Sequence, residues 1–283
     1  VLAILKDEYF KNVTLRQLPI FYKIHKKENM TKKEIKIIGM IRERNESLLL
    51  KDTLDYMATF VDGIVVFDDA SEDDSVQIAL NHPSVIEVIQ NKKWKTENRV
   101  WEETSNRKKL HDRAKKYEPE WLFYGDTDER CEGDIRSYLL NECPDDVNVL
   151  RIALFDAYMT EEDKLPYSQD FPLYNFRKMY GPERRDIVMA WRNGVGADFI
   201  VQDAREPHAI ENRKEVTKFY CQHYGKALSI DQWEETCDYY INYFPKYREK
   251  WQERKGKAIH KKSDFGRPLY SWTDVKKKSV KIN

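Results

Sequence analysis

Four short apolar runs, each closed by a polar cluster and separated by stretches of helical spacing, constrain this chain more than any other feature. They lie at 35–41, 63–67, 85–89 and 121–124. Their largely apolar character, interrupted only by Lys36 and Glu87, is what buried strands give, because a strand with one wet face would alternate. Leu50, Leu54, Met57 and Phe60 follow the first run at helical spacing, behind Ser47 as a helix cap. A short helix near 73–81 and a longer one over 102–117, with Leu110, Ala114 and Tyr117 on one side, fill the other gaps. Strand–helix alternation of this kind predicts a parallel α/β sheet. Right-handed crossovers then gather the strand C-termini on one edge, where such sheets bind ligands. Arg42 to Glu46, Asp68 to Ser71 and Asp126 to Glu129 are the polar tips of that edge.

Beyond residue 145 the alternation weakens. A strand is expected over 147–155, whereas 156–225 is rich in Tyr, Pro and Arg without clear periodicity. Helical spacing returns over 229–255, where Trp233, Tyr240, Phe244 and Trp251 read as a core-facing stripe. The expected organisation is an extension at 1–34, a catalytic domain at 35–228 and a helical basic extension at 229–283. The catalytic domain divides into a donor half at 35–132 and an acceptor half at 133–228. Seven Trp, seventeen Tyr and twelve Phe supply a substantial core for 283 residues. The formal net charge is zero but unevenly spread, with thirteen basic against four acidic residues in 246–283 and eight against four in 1–34. Basic ends therefore flank an acidic body. Cys131, Cys143, Cys221 and Cys237 form no CxxC pair, which speaks against a zinc knuckle and for reduced thiols of a cytosolic protein. No run approaches the ~18–20 apolar residues of a membrane span. The opening VLAILKDEYF reads as the start of a domain fragment rather than a signal peptide.

Asp126-Thr127-Asp128 is the sharpest chemical signal. Two carboxylates one residue apart, just past a buried strand and beside Asp68-Asp69, suit Mg²⁺ or Mn²⁺ on a diphosphate. The alternative is a polar turn whose Asp side chains satisfy backbone N–H groups. An EF-hand is excluded by Arg130 and Cys131 at the fifth and sixth positions of the loop. There is no GxxxxGK[ST], HExxH or GxSxG, and Gly194-Val195-Gly196 lacks the third glycine of a dinucleotide fingerprint.

In order along 35–132, Arg42-x-x-Asn45-Glu46, Asp68-Asp69-Ala70-Ser71-x-Asp73, Asn106-Arg107 at a helix opening and Asp126-x-Asp128-Glu129 resemble GT-A glycosyltransferases of the family 2 type. Gln222-His223-Tyr224-Gly225-Lys226 is similar to a His-Tyr segment that follows the acceptor region in some of these enzymes. The resemblance implies a GT-A fold, with a mostly parallel sheet flanked by helices. It also implies a nucleotide-sugar donor, most often a UDP-sugar, and Mn²⁺ or Mg²⁺. On that resemblance Asn45 and Glu46 lie beside the base or ribose, and Asp68 or Asp69 binds uracil or ribose. Arg42 and Arg107 lie near the nucleotide, Asp126 contacts ribose or metal, and Asp128 ligates the metal, with His223 or His208 as a further ligand.

A glycosyl transfer to a glycan or lipid-linked hydroxyl, with inversion, also needs a carboxylate base. Asp156, Asp186, Asp198, Asp203 and Glu206 compete for that role, and Asp186 and Glu206 are the choices. A phosphatase or phosphotransferase with an aspartyl nucleophile is the alternative enzyme class. It favours Thr or Val where Arg130 stands and places its Asp pair after the first strand rather than the fourth. A non-catalytic sugar-binding module is the third reading. The basic C-terminal stretch suggests an enzyme in the cytoplasm that meets an anionic membrane peripherally. A nucleic-acid partner is set aside, because the body is acidic and no nucleic-acid motif is present.

Overall fold

In the computed structural model, which describes residues 35–282, the four apolar runs become four parallel strands. They are β1 (Ile37–Glu43), β2 (Gly63–Asp68), β3 (Val85–Gln90) and β4 (Trp121–Tyr124), in the spatial order β3-β2-β1-β4. The connecting helices are α1 (Leu50–Met57), α2 (Ser75–Asn81) and α3 (Arg99–Ala114). Burial explains the run pattern: every residue of β2 and β4 is buried, as are all but one of β1. One face of the sheet packs on Leu50, Leu54 and Met57 of α1, the other on Leu110 and Ala114 of α3.

The second half of the sheet mixes directions. β5 (Glu129–Cys131), β6 (Val149–Tyr158), β7 (Met179–Arg192) and β8 (Glu215–His223) extend the order as β4-β7-β6-β8-β5. β7 runs antiparallel to β4 and to β6, while β6 and β8 are parallel. A short irregular helix occupies 135–142. The result is a mixed α/β sheet flanked by helices.

Several local expectations are corrected. Ser47 does not cap α1; its backbone N–H instead donates to Asp73 Oδ2, and Leu49 stands at the helix start with no side-chain cap. Phe60 lies past the end of α1 yet remains in the core. α3 begins at Arg99 behind Asn98, which places Asn106 and Arg107 in mid-helix rather than at its opening. The expected helix at 229–255 is broken at Pro245 into α4 (Ile230–Tyr243) and α5 (Arg248–Arg254). Ser229 caps α4 by accepting from Gln232 N–H. Two long strands, β7 and β8, run through the stretch that showed no periodicity.

The basic C-terminal stretch is built into the fold. α6 (Trp272–Lys277) packs on β7, and β9 (Val280–Lys281) pairs with β7 in parallel. Lys276 binds Glu132 at 2.8 Å, Lys281 binds Asp186 at 3.2 Å and Arg267 binds Glu183 at 3.0 Å, so these cations answer the acidic body. Residues 1–34, including the expected extension, lie outside the described residues. Among the described residues no helix is long and apolar enough to cross a membrane.

Candidate active site

Parallel register brings the polar tips together. Glu43 pairs with Asp68 at the ends of β1 and β2, and Met40 with Tyr124 at the end of β4. The first two tips are laced by short hydrogen bonds. Asn45 N–H donates to Ser71 Oγ, Glu72 N–H to Asn45 Oδ1 and Glu46 N–H to Ser75 Oγ, each at 2.8 Å. Asn45 and Ala70 hold the left-handed backbone that lets both tips turn.

Asp68 and Asp69, expected at the base or ribose, are both buried. Asp68 accepts from Ser71 N–H at 3.1 Å and shares a hydrogen bond with Glu43. Burial, and then the Asp68 charge, push the Glu43 carboxyl up to about 9, so that carboxyl keeps its proton at neutral pH. Asp69 is spent on Arg99 at 2.6 Å and Asn91 at 2.7 Å.

Around the fourth tip the charges are dense. Glu103 of α3 stands between Arg42, Arg99 and Arg107 at 3.5, 3.9 and 3.4 Å, and accepts from the Tyr239 hydroxyl of α4 at 2.6 Å. Burial alone would raise the Glu103 carboxyl, but those arginines hold it below its usual range. Arg107 Nε donates to the Tyr124 hydroxyl at 3.2 Å, which in turn donates to Asp126 Oδ1 at 3.0 Å. Asp126 Oδ2 accepts from Arg205 Nε at 2.9 Å. Burial opposes its ionisation, yet Arg205, Arg107 and Arg42 together hold Asp126 well below the usual carboxylate range.

Asp128 meets a different partner. His223 at the end of β8 lies in register with Glu129 of β5 on one side and Asp156 of β6 on the other. Its Nδ1 bonds Asp156 Oδ1 at 2.7 Å, and its Nε2 faces Asp128 Oδ2 at 3.4 Å. Tyr224 N–H locks the turn by donating to the Asp128 carbonyl at 2.9 Å. Asp156 is itself held by Lys226 at 3.0 Å and Arg185 at 2.6 Å. A carboxylate that fixes one ring nitrogen while the other faces a second carboxylate is the arrangement used to present histidine to a metal. Among the described residues no group of three or more His, Cys, Asp and Glu is arranged to hold a cation. Asp128 and His223 are thus two possible oxygen and nitrogen donors facing each other across the turn.

Asp186 and Glu206 find no support as bases in this geometry. Asp186 lies in register with Ala153, one residue out of step with Arg185, and pairs with Arg184 at 3.4 Å and Lys281. Glu206 is clamped by both Arg151 terminal nitrogens and by Val188 N–H at 3.0 Å. His208 sits in a backbone bridge to Asp198. The half-buried Glu46, by contrast, has its carboxyl pushed up to about 8, first by burial and then by the Asp128 charge. Sequence reasoning missed Arg205, Glu103 and Lys226 as parts of the site. Arg205 lies 79 positions from Asp126, and no local spacing announces that contact.

No protein-family model matches the chain. An uncharacterised protein of Mycobacterium tuberculosis and one of Mycobacterium bovis are each 34% identical to it over 146 residues, 49% of this chain. The chain spans about a third (34%) of the length of these curated relatives. Among solved structures, S. aureus TarS in complex with UDP is similar over 77% of this chain and 71% of its own, at 13% identity and a TM-score of 0.42. Glucosyl-3-phosphoglycerate synthase from Mycobacterium tuberculosis, crystallised with Mg²⁺ and UDP, covers 42% of this chain and 44% of its own, at 13% identity and a TM-score of 0.30. The side chains of the present site, rather than these distant likenesses, carry the functional assignment.

Proposed function

We propose that the chain is a glycosyltransferase that takes a nucleotide-diphospho-sugar, a UDP-sugar by preference, at the edge formed by the β1, β2 and β4 tips. The observation that carries this reading is the Asp128–His223–Asp156 arrangement set beside Arg42 and Arg107. Asp128 and His223 hold Mn²⁺ or Mg²⁺, and Arg42 and Arg107 face the diphosphate. The cation, when bound, neutralises charge on the departing nucleoside diphosphate. Asn45, Asp68 and Asp69 shape the base and ribose end chiefly through the backbone they order.

The acceptor is a hydroxyl of a glycan or a lipid-linked glycan, reached from the β6–β8 side. Inversion requires a carboxylate that takes the hydroxyl proton. Peripheral contact with an anionic membrane remains part of the proposal, through lysines of the C-terminal segment outside its ion pairs. Salt-dependent co-sedimentation of the full chain with anionic vesicles reads that contact directly.

The reading is tested by incubating the protein with Mn²⁺ and a panel of nucleotide-sugars. Slow release of nucleoside diphosphate from one donor is expected, because water replaces a missing acceptor. Release of inorganic phosphate from simple phosphomonoesters, with a phosphoryl group trapped on Asp126, would instead establish the phosphatase alternative.

A further inference from the structure

Two of the four cysteines, far apart in sequence, meet across a pair of strands. Cys131 of β5 lies opposite Cys221 of β8 in antiparallel register. On the next pair along, Glu132 N–H donates to the Tyr220 carbonyl at 2.9 Å. Glu132–Tyr220 is therefore a hydrogen-bonded pair of the ladder, and Cys131–Cys221 a non-hydrogen-bonded one. The backbone of Cys131 agrees with this alternation. Its N–H donates outward to the Tyr56 hydroxyl at 2.9 Å, and its carbonyl accepts from that hydroxyl at 3.1 Å.

Non-hydrogen-bonded partners in an antiparallel ladder stand about 4.5 Å apart at Cα, inside the ~4.4–6.8 Å that a disulfide spans. Both thiols sit in the same apolar cluster with Met189, whose Sδ is 3.5 Å from Cys131 Sγ. They also touch each other: burial, and then the hydrogen bond with the Cys131 thiol, raise the Cys221 thiol above its ordinary value. Access comes from the sheet edge. β5 has three residues and ends the strand order, and a short edge strand opens locally at low cost. Cys131 is 7% exposed and Cys221 fully buried, so an incoming small disulfide meets Cys131 first.

We infer that Cys131 and Cys221 are a modification site, a dithiol that closes to a cross-strand disulfide by exchange with a low-molecular-weight disulfide and so clamps β5 to β8. The first exchange joins Cys131 Sγ to one half of the small disulfide and releases the other half as a thiol. Cys221 then loses its proton, attacks Cys131 Sγ and displaces the second half. In sum, two protein S–H bonds break and one S–S bond forms, while the small disulfide is reduced to two thiols that carry off both protons. The clamp fastens the strand that carries Glu129 to the strand that carries His223. Bridge formation is independent of what the neighbouring turn binds.

The test incubates the full native chain with glutathione disulfide, without denaturant, until the half-buried Cys143 has been captured as a mixed disulfide. Peptide mapping by mass spectrometry is expected to show Cys131 and Cys221 linked to each other, and dithiothreitol to restore both thiols. The bridged form should melt roughly 5–15 °C above the reduced one, because the link closes a long loop of the unfolded chain. Cys131→Ala and Cys221→Ala each abolish the bridge and the shift, whereas Cys143→Ala alters neither. Cys131 and Cys221 both still free once Cys143 has reacted would overturn the inference. So would a bridge to another cysteine, a bridge that forms only in urea, or one that lowers the melting temperature. Should circular dichroism show either alanine variant unfolded, the map and melting curve of the native chain decide the matter.

Discussion

Gly225 follows the His223-Tyr224 pair at the point where β8 meets the Asp126–Asp128 turn. A Cβ there would stand 2.7 Å from Asp128 Oδ2 and 2.9 Å from His223 Nε2. Both are ends of side chains that can swing aside, so the backbone survives while the two proposed ligands part. Gly225→Ala is therefore expected to keep its melting temperature within a few degrees and to lose roughly 10–100-fold in Mn²⁺-dependent UDP affinity. Calorimetry with the native affinity retained would contradict this. A second residue-scale expectation concerns Glu43, whose carboxyl stays protonated to about pH 9 against an ordinary value of 4.5. A raised carboxyl stabilises the fold fully below its unfolded pKa, and that contribution fades as pH rises toward the folded one. Glu43→Gln, which cannot ionise, should gain on the native protein between pH 5 and 9, by at least ~1 kcal/mol or about 2–4 °C in a domain of this size. Melting curves whose separation does not change with pH would show that Glu43 is ionised in the fold.

At the scale of elements, what the sequence showed depended on how each strand is buried. β1, β2 and β4 are buried almost throughout, so their apolar runs stand out, while β3 is only half-buried and shows through its Val and Ile residues. β7, Met179–Arg192, carries Gly181, Pro182, Glu183, Arg184, Arg185 and Asp186 in its first half, and these find partners only in the folded chain. β8 alternates exposed and half-buried positions at its start, which hides it in a charged stretch. The polar tips were legible for the same reason, since each directly follows a buried run. The Asp128–His223–Asp156 set was legible only in part. His223 came from the His-Tyr resemblance, but its Asp156 partner depends on the β6–β8 register, which no local pattern encodes. Arg130 shows how the elements fix the site. Its guanidinium donates to the Thr127 and Glu129 carbonyls at 3.0 and 2.7 Å, and to Asp52 and Thr53 of α1 at 2.6 and 2.8 Å. Arg130→Met removes all four of those bonds, with only the Thr127 carbonyl keeping another donor in the Thr53 hydroxyl, and should cost about 3 kcal/mol, lowering the melting temperature by roughly 6–12 °C. A loss under about 2 °C would mean that the turn is held by other contacts.

For the whole molecule, part of the uneven charge of the sequence is answered by ion pairs within the fold. The C-terminal cations close on Glu132, Glu183 and Asp186, so the second half of the sheet is finished by the last residues of the chain. α4 meanwhile reaches back across the site, with Tyr239 on Glu103. The β1, β2 and β4 tips, the end of β8 and α4 meet around the Asp126–Asp128 turn. The most direct test of the proposed function is calorimetric titration of UDP into the native protein and Asp128→Ala, each with Mn²⁺ and with EDTA. EDTA is expected to weaken UDP binding to the native protein at least tenfold, and Asp128→Ala with Mn²⁺ to behave as the native protein does in EDTA. UDP affinity that is the same in all four titrations would contradict it.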